Sequence, residues 1–172
     1  MTNIPEVINA FNVYIDSTAL VGISGAVTLP NFEAITEEIS GAGILGSYET
    51  SIPGHFSSMT QEIPFRILMD DAFSLMKYNE ALELTFRASA QSTVKSTGAL
   101  DYSGLRIVER GRFKSMTGGK LEQGKQMESS VTLELFYIKI LLDDDTLLEL
   151  DKLNSTFIVD GTDMLEDVTE NT

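Results

Sequence analysis

The sequence contains no cysteine, which removes disulfides, thiol nucleophiles and cysteine zinc sites in one step. Such a chain does not rely on an oxidising compartment, so the sequon at Asn154–Thr156 carries no weight. No apolar run nears the roughly 18 residues that span a bilayer. The opening MTNIPEVINA lacks the basic start and apolar stretch of a signal peptide. A cytoplasm is the expected place of synthesis, with no membrane partner. Histidine occurs once, at His55 beside Pro53 and Gly54, without a nucleophile or orienting acid nearby, and it reads as a surface residue rather than a base. Lysine and arginine are absent from residues 1–65, which hold 7 acids.

What is present belongs to one globular domain, residues 1–172: 42% of the chain is hydrophobic and 22% charged. The net charge of −14 is unevenly spread. Residues 66–125 carry 10 basic and 7 acidic side chains, and residues 126–172 carry 2 and 12. Affinity for phosphate comes from clustered Lys and Arg, so this balance argues against an ordinary nucleic-acid-binding protein. Six of the 12 basic residues do fall between Arg106 and Lys125, as a solvated strand face or a patch for a partner.

Several motifs are nearly present. GAGILG, residues 41–46, fits the G-x-G-x-x-G of dinucleotide sites, but that chemistry needs a strand before the first glycine and a helix opening at the third. The preceding Phe32, Ile35 and Ile39 have helical spacing, predicting a short helix over 32–39, and Pro53 and Gly54 interrupt the segment where a phosphate-binding helix would have to run. GISGA around Ser24 misses the nucleophile elbow at its last position, and STVK, residues 92–95, matches S-x-x-K without its helical frame. Asp143, Asp144 and Asp145 lack the ligand ladder and distal glutamate of a calcium loop and read as a solvated hairpin tip. No catalytic, cofactor or metal constellation survives, so no enzyme is expected.

Period-two alternation dominates instead. In ALELTFRASA, Leu82, Leu84, Phe86, Ala88 and Ala90 share one side. FNVYIDSTALVGISGAVTLP reads as two strands about a tight turn, and SMTQEIPFRIL, with Pro64 inside, as an edge strand. GLRIVERGRFK puts Arg106, Arg110, Arg112 and Lys114 on one face and Leu105, Ile107 and Phe113 on the other, with Gly111 marking a bulge or close contact. SSVTLELFYIKILLD loses its alternation near Phe136, predicting a strand covered on both sides. TLLELDKL and STFIVDGTD are shorter strands. MDDAFSLMKYN predicts one helix capped by Asp70 or Asp71, with Phe73, Leu75 and Met76 as its apolar stripe. The last eight residues are expected to fray. The sum is a mainly β protein, an antiparallel β-sandwich or half-barrel with one short helix.

Four segments in order, NVYIDSTALVGISGAVTLPNFE, GAGILG, ERGRFKSMTGGKLEQGKQMESSVTLELFYIKI and LLELDKLNSTFIVDGTDML, resemble the major tail tube proteins of contractile-tailed phages. The chain departs from that pattern in a DDDT hairpin without glycine and in an acidic tail after Leu165. The resemblance implies a structural protomer whose sheets join into a continuous barrel in six-membered rings. The rings stack into a tube inside a sheath, with baseplate and tape-measure proteins as further partners and DNA only in transit. It implies a virion component assembled in the host cytoplasm. Long strands with few edge prolines fit, because ring closure pairs their free N–H and C=O groups while axial contacts stay open. An acidic lumen would let DNA slide. The expected assembly interface is Gly41, Gly43, Ile44, Leu45 and Gly46 at the glycine loop, with Arg106, Arg110, Arg112 and Lys114 meeting acids of a neighbouring subunit. The competing readings are a monomeric β-sandwich binding module, and the same tube in a DNA-free bacteriocin or a secretion system.

Overall fold

A computed structural model describes residues 3–23, 25–77 and 79–172. The GISGA serine, Ser24, lies outside them. The alternating segments become strands. β1 (Asn3–Ile15) turns through Asp16 and Ser17 into the two-residue β2 (Thr18–Ala19). β3 (Ala34–Ser40) and β4 (Ser47–Phe56) form a separate hairpin, followed by β5 (Met59–Phe65) and a single-turn helix α1 (Asp70–Ser74). β6 (Leu82–Val94), β7 (Leu100–Thr117) and β8 (Ser129–Leu142) are the long strands. β9 (Asp145–Asp151), β10 (Thr156–Val159), β11 (Thr162–Asp163) and helix α2 (Glu166–Glu170) complete the chain. The main sheet runs β11-β10-β9-β8-β7-β6-β1-β2, with β5 pairing β8 beside its first half, and every pairing is antiparallel. It does not close into a barrel within the protomer.

One face of this sheet holds the core. Val13, Leu84, Phe86, Ile107, Leu133, Leu135, Ile138 and Leu150 are buried there, under Leu20, Ile23 and Val27 of the segment after β2 and Leu68, Ala72 and Leu75 around α1. Burying side chains of this size contributes about 1.5–3 kcal/mol each, which is what holds an irregular layer against the sheet.

Four local expectations are corrected, and the fifth, a strand covered on both sides after Phe136, is borne out with a change of phase. Residues 32–39 are not helical: Ile35, Thr36 and Ile39 are β-branched, a helix there would have no core to face, and β3 instead gains a ladder with β4. The second strand of the opening pair shrinks to Thr18–Ala19, because the chain leaves the sheet to cover the core and meets it again at an isolated Ile23–Phe65 bridge and at the Thr28 carbonyl, which accepts from Gln61 Nε2. Met69 takes the N-cap position of α1 without a side-chain cap, and Ala72 and Leu75 rather than Phe73 are buried. Residues 166–170 form α2 instead of fraying, next to Leu165, whose side chain fills the space beside Gly54. In β8 the lost alternation is a change of phase: between Arg110/Gly111 the register slips by one residue on β8, so Val131, Leu133 and Leu135 face the core before the bulge and Ile138 faces it after. Tyr137 and Leu141 then lie buried on the opposite face, so that part of the strand is covered on both sides.

Gly111 marks both a bulge and a close contact: a Cβ there would lie 2.5 Å from the Glu134 carbonyl oxygen. The DDDT turn without glycine is explained by its backbone. Asp143 and Asp144 adopt φ of 50° and 69°, the left-handed pair of a two-residue hairpin, which aspartate tolerates better than most residues.

Candidate assembly surfaces

The glycine loop is the tip of the β3–β4 hairpin, with a strand on each side and no helix after it. A phosphate has no helix N-terminus to meet here, so the dinucleotide geometry is absent. Gly41, Gly43 and Gly46 have φ of 150°, 93° and 107°, and nothing lies within 4 Å of where their Cβ atoms would be. The glycines therefore answer a backbone requirement and not crowding inside the protomer. Between them Ile44 is exposed and Leu45 fully so, and along the hairpin Ile35, Tyr48 and Ile52 are exposed as well. The hairpin is rooted by Phe56, whose ring meets Phe157 at 5.1 Å and Phe32 at 6.2 Å. Its root is fixed on the core face while its apolar tip has no cover among the described residues.

A second surface is the sheet edge. β1 pairs β6 along its length, but on its outer side β2 reaches only Tyr14 and Ile15. From Ile4 to Asn12 that outer edge faces no strand among the described residues. Register shifts at Pro5/Val7 and Ile8/Ala10 interrupt it, yet Ile4, Val7 and Ile8 are exposed along it. At the other end the sheet stops at the short β10 and β11.

The third surface is the face opposite the core. Arg106, Arg110, Arg112 and Lys114 do share it, but they do not reach outward unpartnered. Arg106 Nη2 binds Asp144 at 2.9 Å, Arg110 Nε binds Glu83 at 3.0 Å, and Lys114 Nζ binds Glu134 at 2.7 Å. Arg112 lies 5.7 Å from the centre of the Phe136 ring. A further pair, Lys139–Glu149 at 3.1 Å, joins them, and Tyr137 donates to the same Glu149 at 3.0 Å under the Arg110 guanidinium. One chain of contacts, Glu83–Arg110–Tyr137–Glu149–Lys139, thus crosses four strands. Burial, followed by the bond to Glu149, pushes the Tyr137 hydroxyl up to about 12. Burial works to raise the Glu134 carboxyl, but bonds from Lys114 and Ser58 outweigh it and hold the group below its ordinary value.

Sequence reasoning missed Glu109. It occupies the core-facing position between Ile107 and Gly111, paired with Leu84 on one side and Ile138 on the other. It is fully buried, and neither carboxylate oxygen has a hydrogen-bond partner among the described residues. Desolvation pushes its pKa up to about 8. The signal was available: in Leu105-Arg106-Ile107-Val108-Glu109 the glutamate has the parity of the apolar positions. His55 is exposed on β4, and Ser92 lies in strand β6, without the helical frame S-x-x-K needs.

Residues 5–171 match the family model described as phage tail tube protein FII. The chain is similar to the tail tube protein of Escherichia phage P2, 27% identical over 165 residues that cover 94% of each chain. It is similar also to the major tail tube protein of Serratia phage KSP20, 26% identical over 95% of this chain and 93% of the other. Among solved structures, the sheath/tube terminator of an extracellular contractile injection system aligns with a TM-score of 0.53, covering 80% of this chain and 96% of that one. At 14% identity this last likeness shows the fold alone.

Proposed function

Because the chain belongs to the phage tail tube protein FII family, we propose that it is the structural subunit of a contractile phage tail tube. As one tail tube domain over residues 1–172, it forms six-membered rings that stack around a channel for DNA. It is a component of the virion, its role is structural rather than catalytic, and it needs no cofactor. The ring meets a sheath on its outer side, and baseplate and tape-measure proteins bound the tube at assembly.

The observation that carries this reading is the open β1 edge. A long stretch of edge backbone with no neighbouring strand among the described residues, together with exposed Ile4, Val7 and Ile8, is a hazard for a free monomer. Joining each β1 edge to the far edge of the next protomer satisfies these groups and ends sideways growth when the ring closes. Axial contact falls to the hairpin tip Gly41–Gly46, with Ile44 and Leu45 entering the adjacent ring. The Arg106, Arg110, Arg112 and Lys114 face loses its main claim to the inter-subunit role, since three of the four cations already hold carboxylates at home. Purified at high concentration, the chain is expected to yield hollow tubes or rings in the electron microscope and a large species in size exclusion. A chain that stays monomeric, with and without other tail components, overturns the proposal.

A further inference from the structure

We infer that the face opposite the core is the channel wall, and that four of its six cations are held in closed ion pairs so that a polyphosphate chain in transit finds little free charge to bind. The inference rests on the tube reading. Sheets joined edge to edge in a ring have one face inside. The core face carries the covering segment after β2, the α1 region and the root of the β3–β4 hairpin, a layer that would fill a channel. The other face is the one left to line it.

On that face the balance differs from the chain as a whole. By register it presents Arg87, Arg106, Arg110, Arg112, Lys114 and Lys139 against Glu6, Glu62, Glu83, Glu134, Asp144, Glu149, Asp151 and Asp163. The wall is therefore far less acidic than the net charge of −14 suggests, and most of its cations are internally paired. Four of the cations sit within 3.1 Å of a carboxylate. Arg87 and Arg112 lie instead over the rings of Tyr14 and Phe136, at 5.4 and 5.7 Å. A phosphate gains affinity when a cation replaces its condensed counterions. A cation already matched to a fixed carboxylate offers less of that exchange, and one repeated around the ring offers no track for sticking.

Two experiments test this on assembled tubes. The chain has no cysteine, so Arg112→Cys and, on the covering layer, the exposed Met69→Cys give single thiols. In tubes, Arg112→Cys is expected to react with a small maleimide but not with one carried on a large polymer, while Met69→Cys reacts with both. Polymer labelling of Arg112→Cys along intact tubes overturns the wall assignment. Second, the triple variant Glu83→Gln, Glu134→Gln, Glu149→Gln frees Arg110, Lys114 and Lys139. Its tubes are expected to retain a fluorescent single-stranded oligonucleotide at least tenfold more tightly than the parent at low salt. The logarithmic salt slope should be near −2, about 0.7 for each of the three cations. Retention equal to the parent's overturns the paired-charge inference even where the thiol result holds. If the triple variant does not assemble, Glu149→Gln alone, freeing Lys139, is read by the same retention assay. Failure of the parent chain to form tubes is seen before any variant is made and counts against the tube reading itself.

Discussion

Replacing Glu109 with Leu is expected to raise the stability of the protomer at neutral pH and to flatten its pH dependence between about pH 5 and 8. The folded-state pKa of about 8 lies above the ordinary 4.5, so the folded protein binds the extra proton. A carboxyl of this kind leaves stability intact below pH 4.5 and withdraws it as pH rises towards 8. At pH 7 the unfolded chain is ionised and the folded one mostly neutral, a difference of about 2.5 pH units and hence about 3 kcal/mol. Leucine removes both the proton cost and two unbonded oxygens, and it packs beside Leu84 and Ile138. For a chain of this size 1 kcal/mol shifts the melting temperature by about 2–4 °C, so a rise on the order of 5–10 °C is expected at pH 7 and little at pH 4.5. Glu109→Gln keeps the shape and a buried polar group, and should flatten the profile with a smaller gain. Thermal melts from pH 4.5 to 9 check both. A parent-like pH profile in both variants would show that the burial penalty is not felt. The carboxyls of Glu134 and Asp151, held low by their bonds, act in the opposite sense, losing stability only as pH falls, and they cancel in the comparison.

The second large effect belongs to the hairpin tip. Leu45→Asp changes a side chain that is fully exposed in the protomer, so its cost to folding should lie within about 0.5 kcal/mol. Placed in an apolar contact between rings, the unpaired carboxylate costs several kcal/mol per copy, on the order of an unsatisfied buried polar group or more. Gly43→Val acts through the backbone: at φ of 93° a β-branched residue is strained although space is free. Both variants are expected to keep the parent's circular dichroism while long tubes vanish from the micrographs, leaving single rings or short stacks. Normal tubes from both would remove the loop from the interface.

Much of this protein was legible in its residues. The period-two face of Leu82, Leu84 and Phe86 depends on side-chain alternation and backbone sterics, which are local. So did the parity that set Arg106, Arg110, Arg112 and Lys114 together. GAGILG failed as a dinucleotide site for a reason also local, the strand rather than helix that follows its third glycine.

Three things were decided elsewhere in the chain. Whether Phe32–Ile39 became helix or strand depended on β4, a partner supplied later in the sequence, because a short segment takes the conformation that gives its backbone a ladder. The phase change in β8 depended on β7, since a bulge is a property of a pair. The self-paired face depended on four strands at once: net charge −14 is a sum over the sequence, whereas Glu83, Arg110, Glu149 and Lys139 meet only when β6, β7, β8 and β9 lie side by side. Composition and alternation by themselves determined that this would be a one-sided antiparallel sheet. Register across strands, set by tertiary pairing, decided which charges are spent at home, which edge stays open, and that a glutamate would be sealed in the core.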